Sequence, residues 1–297
     1  MTGPALVLPG DRAVLAVSGP DRATFLQGLV SNDVARAMGG EAIHAALLTP
    51  QGRFLHDFAV VPDGERLLLD TDAAGAEALG KRLMAYRLRS KATIEILAGW
   101  GVALLVGDNA PSAIGLPGTP GACIAFEGGV ALVDPRLPAL GLRLVLPREG
   151  LAALGRHGWP AGSVAAYEAL RLSLGVPDGA RDMADGLLLE NGYDELRAID
   201  WKKGCYVGQE VTARMRYRGL AKKRLVPVRI EGPPPPPGTL VTLDGQDAGE
   251  MRSSAGDRGL ALLRLEAIEA CTRDGAVLSS GEARLVPGRP AWLAAEG

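Results

Sequence analysis

The stretch "WKKGCYVGQEV", Trp201 to Val211, places a cysteine between two lysines and a glutamine–glutamate pair. The residues that follow, "TARMRYRG", carry three arginines and end at Gly219. Acids in a first turn, arginines in a last turn and a closing glycine suit the dipole and C-cap of a helix beginning near Gly208. The alternation of Val211, Ala213, Met215 and Tyr217 would equally suit a half-buried strand, and the charge order favours the helix. Cys205 would then lie just ahead of free backbone N–H groups, with Lys202 and Lys203 adding positive charge. That setting favours thiolate, so Cys205 is a candidate nucleophile or soft-metal ligand. A small buried cysteine is the equal alternative. Eight cations fall between 202 and 224, a basic patch that is either a solvated face or an anion site. A carboxylate such as Glu190 would complement it. One acid accepting the paired N–H groups of a pterin, with a basic mouth for a glutamate tail, fits a folate, and many other ligands besides.

Composition narrows the setting. The chain has 297 residues, 47% of them hydrophobic and 22% charged, with a formal charge of −2. It is long enough for two or three domains and a sizeable core. The near-neutral balance gives no global attraction to nucleic acid or anionic membrane, and 4% aromatic residues are few for a reader of single-stranded RNA, which stacks bases on aromatic rings. Direct RNA binding is therefore disfavoured. Cys123, Cys205 and Cys271 are widely spaced, and the three histidines, His44, His56 and His157, show no ligand spacing. Neither a disulfide framework nor a self-contained metal site is expected. With no signal-like N-terminus and no apolar run of membrane length, the expectation is a cytoplasmic protein, a monomer without membrane contact.

These residues need a scaffold. Residues 5–17 read as short strands broken at "PGDR", and 18–34 as a helix capped by Ser18 or Asp21 with Phe25, Leu26, Leu29 and Val30 inward. Residues 41–72 read as three strands turning at "TPQGR" and "PDGE". Residues 73–88 read as a helix with Leu79, Leu83 and Leu88 inward, followed by the strands "SKATIEIL" and "WGVALLVG". That order suggests a split βαβ sheet. After a Gly/Pro-rich loop at 108–122, short strands occupy 123–146. Helices follow at "EGLAALGRHG" and at "SVAAYEALRLSLGVP", the latter stopped by Gly175 and Pro177. Residues 177–200 are polar and aperiodic, a reasonable place for a site. Pro233–Pro237 reads as a polyproline connector, and from 238 onward short strands alternate with turns, as in a small barrel.

The segment "KGCYVGQE" resembles the signature of the YgfZ family of folate-binding proteins, relatives of the glycine-cleavage T-protein that also include a mitochondrial iron–sulfur assembly factor. "DRATFLQGLVSNDV", "LLTPQGRFLHDFAVV", "YRLRSKATIE", "ALRLSLGVPDGARD" and "ARMRYRG" resemble further elements of that family. The resemblance implies an α+β, three-domain T-protein-like ring: a split first domain (1–43 plus 140–222), an inserted ferredoxin-like domain (44–139) and a C-terminal small β-barrel (223–297). It implies tetrahydrofolate as cofactor, with iron–sulfur enzymes, tRNA-modifying ones among them, or cluster carrier proteins as partners. In this reading Cys205 and Asp57 are the candidate catalytic residues. Glu190, Lys203, Tyr206, Gln209, Glu210 and Arg214 are the candidate cofactor-binding residues, and no metal site is expected. T-proteins carry two adjacent aspartates after the hairpin glycine, where this chain has His56-Asp57. The missing carboxylate puts the alternative, a folate-dependent aminomethyl- or methyltransferase, in doubt.

Overall fold

The computed structural model describes residues 3–183 and 185–293. The chain divides into two compact units. One comprises Met1–Pro50, Leu55–Val164 and Arg197–Gln209; the other comprises Gln51–Phe54, Ala165–Leu196 and Glu210–Gly297.

The first unit is built on ten strands: β1 (Ala5–Val7), β2 (Arg12–Ser18), β3 (Ile43–Leu48), β4 (Phe54–Asp63), β5 (Arg66–Asp72), β6 (Thr93–Ile96), β7 (Trp100–Val106), β8 (Cys123–Phe126), β9 (Gly129–Val133) and β10 (Leu142–Pro147). They form two five-stranded sheets, ordered β3-β4-β5-β2-β6 and β1-β7-β10-β9-β8. The pairings β2–β5, β4–β5, β7–β10 and β9–β10 are antiparallel. In β3 and β9 every residue is buried, so those strands have no solvent face, while the turns around them carry the Gly, Pro and Asp that the backbone needs.

The helix expected over 18–34 is shorter. It runs from Arg22 to Gln27, and a second helix, Val34–Met38, starts at Asp33, whose side chain caps Ala35. Ser18 ends β2, and Asp21 accepts from the Lys91 backbone N–H instead of capping the helix. The four apolar residues expected inward are buried, and they pack with Leu79 and Leu83 of the helix Ala76–Arg87 in one core. Leu88 is a correction. It lies beyond the helix end at φ +43 and is exposed, because a residue in the left-handed region turns off the helical face.

Charged side chains join the two sheets. Asp70 on β5 accepts from Arg12 Nε on β2 (2.8 Å) and from Arg143 Nε on β10 (2.5 Å). Arg143 Nη1 also donates to Asp134 Oδ2 (3.1 Å), which is shared with Arg136. Each buried charge here has an opposite partner, the condition under which such burial is tolerated.

The second unit carries β11 (Lys223–Glu231), β12 (Leu240–Leu243), β13 (Gln246–Ala255), β14 (Arg258–Arg264), β15 (Leu278–Ser280) and β16 (Ala283–Pro287). They close into a barrel in the order β11-β14-β13-β12-β15-β16. Its interior is filled by residues such as Val226, Val228, Met251 and Leu263. A helix at Leu265–Asp274 packs on it, an element the barrel pattern did not suggest. The helix Val164–Leu174 ends at Gly175 as expected. Its Arg171 is buried and donates to Asp182 Oδ2 (2.6 Å) and to the Val176 carbonyl (2.8 Å).

Candidate functional site

The motif loop in the first unit is set by three polar anchors. Asp200 Oδ1 accepts the backbone N–H groups of Lys202 (2.7 Å) and Lys203 (2.8 Å), which turns the chain sharply. Ser31 Oγ donates to the Ala198 carbonyl (2.6 Å) and accepts from Ala46 N (2.9 Å). Asn32 Nδ2 donates to the carbonyls of His44 and Arg197, both at 2.7 Å, while Asn32 Oδ1 accepts from Asp33 N (2.8 Å). The "SND" segment after the first helix thereby ties β3 to the chain leading into the motif.

Lys203 is 8% exposed. Its Nζ donates to the carbonyls of Gln27 (2.8 Å), Val30 (2.5 Å) and Asn32 (2.9 Å). An ammonium has three N–H groups, and all are engaged with the end of the first helix. Lys203 thus holds the loop in place. Burial lowers its pKa to about 8, with Asp33 and Asp200 pulling it back up. Its Nζ also lies 5.1 Å from the centre of the Tyr206 ring, a cation–π distance. Tyr206 is buried, and the partly buried Val207 packs against the core beneath the first helix.

Gly208 has φ +84, a left-handed conformation that glycine adopts without a Cβ penalty. This turn lets Gln209 fold back. Its Oε1 accepts from Tyr206 N (3.3 Å), and its N–H donates to the Tyr206 carbonyl (3.2 Å). The helix then runs Gln209–Tyr217, as its charge order suggests. Between Lys203 and Tyr206, both anchored inward, Cys205 is exposed. Of the two readings of this cysteine, the small buried side chain is the one that the structure removes.

Asp57 lies on β4, and its Oδ2 is 3.0 Å from His44 Nε2 on β3. Burial alone would raise the Asp57 carboxyl; the His44 hydrogen bond and the charges of Arg12 and Arg136 outweigh it and hold the group well below the usual carboxylate range. Burial likewise lowers His44, against the pull of Asp57. The imidazole is thus neutral at pH 7 and Nε2–H donates to an ionised Asp57. His56, next to Asp57 in the chain, is also pushed down by burial. Sequence reasoning did not find His44, Ser31 or Asn32. Their partners on other elements are 12 to 167 residues away, beyond any local pattern.

The remaining candidates belong to the second unit. Glu190 is half-buried in a 3-10 turn, Leu189–Asn191. Gly192 follows at φ +74, and a Cβ there would meet Trp292 Cη2 at 2.6 Å. Asn191 is buried, and its Nδ2 donates to the Leu187 carbonyl (2.8 Å). Its Oδ1 accepts no hydrogen bond from any described residue. Glu210 and Arg214 are exposed and pair with each other across one helical turn. Asp57, Lys203, Tyr206, Gln209 and Cys205 thus belong to one unit, and Glu190, Glu210 and Arg214 to the other. Among the described residues, no group of three or more His, Cys, Asp or Glu side chains is placed to hold a metal ion.

Comparison with known proteins places this geometry. The human protein "Iron-sulfur cluster assembly factor IBA57, mitochondrial" is 36% identical over 288 residues, covering 87% of this chain and 77% of that protein. The chain belongs to the IBA57 family. The mouse IBA57 protein is 35% identical over 286 residues, with the same coverage of both chains. Residues 222–295 match the family described as "CAF17, C-terminal beta-barrel domain", which is the barrel seen here. The crystal structure of the glycine cleavage system aminomethyltransferase T from Bartonella henselae superposes with a TM-score of 0.77 at 18% identity, covering 98% of this chain and 87% of that one. The fold is therefore T-protein-like and α+β, with a C-terminal six-stranded barrel.

One expectation is corrected. The cytoplasmic placement conflicts with the IBA57 proteins of human, mouse and Neurospora crassa, all of which are mitochondrial and point to mitochondria rather than the cytoplasm. Sparse, unpaired cysteines indicate reducing conditions but do not say which reducing compartment holds the chain.

Proposed function

We propose that this chain is a tetrahydrofolate-binding factor that supports assembly or repair of iron–sulfur enzymes, those that modify tRNA among them, with Cys205 as its working group. The observation that carries the reading is the contrast within the motif: Lys203 and Tyr206 are buried anchors, and the cysteine between them is exposed. A residue needed only for packing would not be presented to solvent by a loop braced on both sides. Membership of a family of iron–sulfur cluster assembly factors supports the client class, and the T-protein-like fold supports a folate. A cluster takes several thiolate ligands, and Cys205 supplies one, so carriers or clients supply the others.

Toward a pterin, the donor edge needs acceptors. Glu190, with the buried and undonated Asn191 Oδ1 next to it in the chain, fits that requirement. Glu210 and Arg214 are proposed at the polar end of the ligand. Lys203 and Gln209 act by holding the loop, Lys203 Nζ through the carbonyls of Gln27, Val30 and Asn32 and Gln209 Oε1 through Tyr206 N. The grouping with YgfZ folate binders, the division at 1–43 with 140–222, 44–139 and 223–297, and action as a monomer are part of the same proposal. Aminomethyl transfer of the T-protein type is the less favoured reading. The single carboxylate there, Asp57, is stabilised as the anion by His44, Arg12 and Arg136 and takes up a proton poorly.

The test is an anaerobic titration of the wild type and Cys205→Ala with tetrahydrofolate and with a reconstituted cluster, alongside complementation of a deletion strain. Both proteins should bind tetrahydrofolate, and only the wild type should contact the cluster and restore iron–sulfur enzyme activity. Full restoration by Cys205→Ala removes the role of the cysteine. Absence of tetrahydrofolate binding in the wild type removes the folate.

A further inference from the structure

The helix Gln209–Tyr217, which belongs to the second unit from Glu210 onward, runs into a solvent-exposed segment. Arg216 through Leu220 are five consecutive exposed residues. Tyr217 is 80% exposed and Leu220 47%. Tyr217 is the one exposed aromatic side chain among the described residues, the other tyrosines, tryptophans and phenylalanines being buried or half-buried. Arg216, Arg218 and Lys222, within five residues of it in the chain, are all exposed. Arg216 lies 3.7 Å from Asp194, so part of the positive charge here is compensated within the chain.

We propose that the surface centred on Tyr217, with Leu220, Arg216, Arg218 and Lys222 around it, is the docking site for a protein partner whose contact surface is acidic. Tyrosine and arginine are the residue types that concentrate binding energy at protein interfaces, and apolar surface at the centre with charge at the rim is their usual anatomy. The charge complementarity is specific to this place. The chain as a whole is −2, so a cationic patch with a lone aromatic at its centre is a local device and steers an oppositely charged partner. A nucleic acid is the poorer occupant. A polyphosphate rewards a continuous row of unneutralised cations, whereas Glu210, Asp194 and Glu195 interrupt this one by pairing with Arg214, Arg216 and Arg224. Single-stranded RNA also needs successive stacking platforms, and this surface has one ring.

The choice of probe rests on the functional reading above: an acidic iron–sulfur protein, purified [2Fe–2S] ferredoxin. Binding of the full chain to ferredoxin is measured by biolayer interferometry at low and at raised salt. Tyr217→Ala and Arg218→Glu should each weaken binding at least tenfold, and raised salt should weaken the wild type. Met84→Ala, an exposed apolar side chain on the helix Ala76–Arg87, should bind as the wild type does. No binding of the wild type, equal binding by the Tyr217 and Arg218 variants, or displacement of ferredoxin by stoichiometric tRNA overturns the proposal. Tetrahydrofolate titration of the same proteins separates the two readings. Failure of folate binding in the wild type counts against the proposed function, and loss of ferredoxin binding with folate binding intact confines the defect to this surface.

Discussion

Asn32 provides the sharpest test of how the motif loop is held. Its amide donates two hydrogen bonds to carbonyls at 2.7 Å and accepts one from Asp33 N, and the side chain is fully buried. Asn32→Ala deletes three hydrogen bonds and leaves two carbonyls without that donor. At about 1 kcal/mol for each bond, the cost is about 3 kcal/mol. Asn32→Asp keeps the shape and reverses the outcome. The NH2 becomes an oxygen facing two carbonyl oxygens, and its charge is buried beside Asp33. Two lost donor bonds cost about 2 kcal/mol, and an unpaired buried charge adds about 3–5 kcal/mol. The isosteric change should therefore destabilise more than truncation at pH 7. The introduced carboxyl would have a raised pKa in the fold, so folding takes up a proton, and stability should recover as pH falls through that raised value. Chemical denaturation from pH 4.5 to 8 measures both effects. An Asn32→Asp protein more stable than Asn32→Ala at pH 7, or one that gains nothing on acidification, refutes the donor assignment.

Three further outcomes follow from the geometry. Gly192→Ala should cost roughly 2 kcal/mol or more, about 1 from the left-handed backbone and the rest from Trp292. In a Trp292→Leu background only the backbone part should remain, which a double-mutant cycle by thermal denaturation will show. Lys203 has a folded pKa lowered to about 8, so stability rises with pH between about 8 and the ordinary lysine value of ~10.4, where the unfolded chain still holds the proton, and does not change with pH through this group below about 8. The stability difference between wild type and Lys203→Met should change across that window in urea titrations and be flat from pH 6 to 7. The depressed Asp57 carboxyl contributes stability above its ordinary pKa that is lost as pH falls; Asp57→Asn should flatten the acid side of the stability profile, and an unchanged acid limb would count against the His44 pairing.

How much of this was legible in the sequence depended on range. The strands of 41–72 and of the barrel were readable because alternation and turn residues are local signals. The Gln209–Tyr217 helix was readable from charge order alone. Leu88 was misplaced because hydrophobic spacing runs on past the residue where the backbone leaves the helix. The helix over 18–34 was overextended for a related reason: Asn32 and Asp33 read as its continuation, while in three dimensions they are a turn and a new cap. The site was least legible. Lys203 looked like a cation for a ligand, and only the carbonyls 171 to 176 residues away in sequence show that its three protons are taken. The chemistry of a lysine is set by its acceptors, and no motif displays those.

The same lysine bears on how the chain comes to be folded. Bonds between residues around 30 and residues around 200 cannot form until most of the polypeptide has been synthesised, and contacts of such separation close slowly. Until then the end of the first helix lacks its cation, and Ser31 Oγ and Asn32 Nδ2 lack their carbonyl acceptors at 198 and 197. The segment that carries Cys205 is thus the closing piece of the first unit. An emerging or interrupted chain would have its early strands but not the braced thiol, so that fixed presentation of Cys205 waits on completed folding.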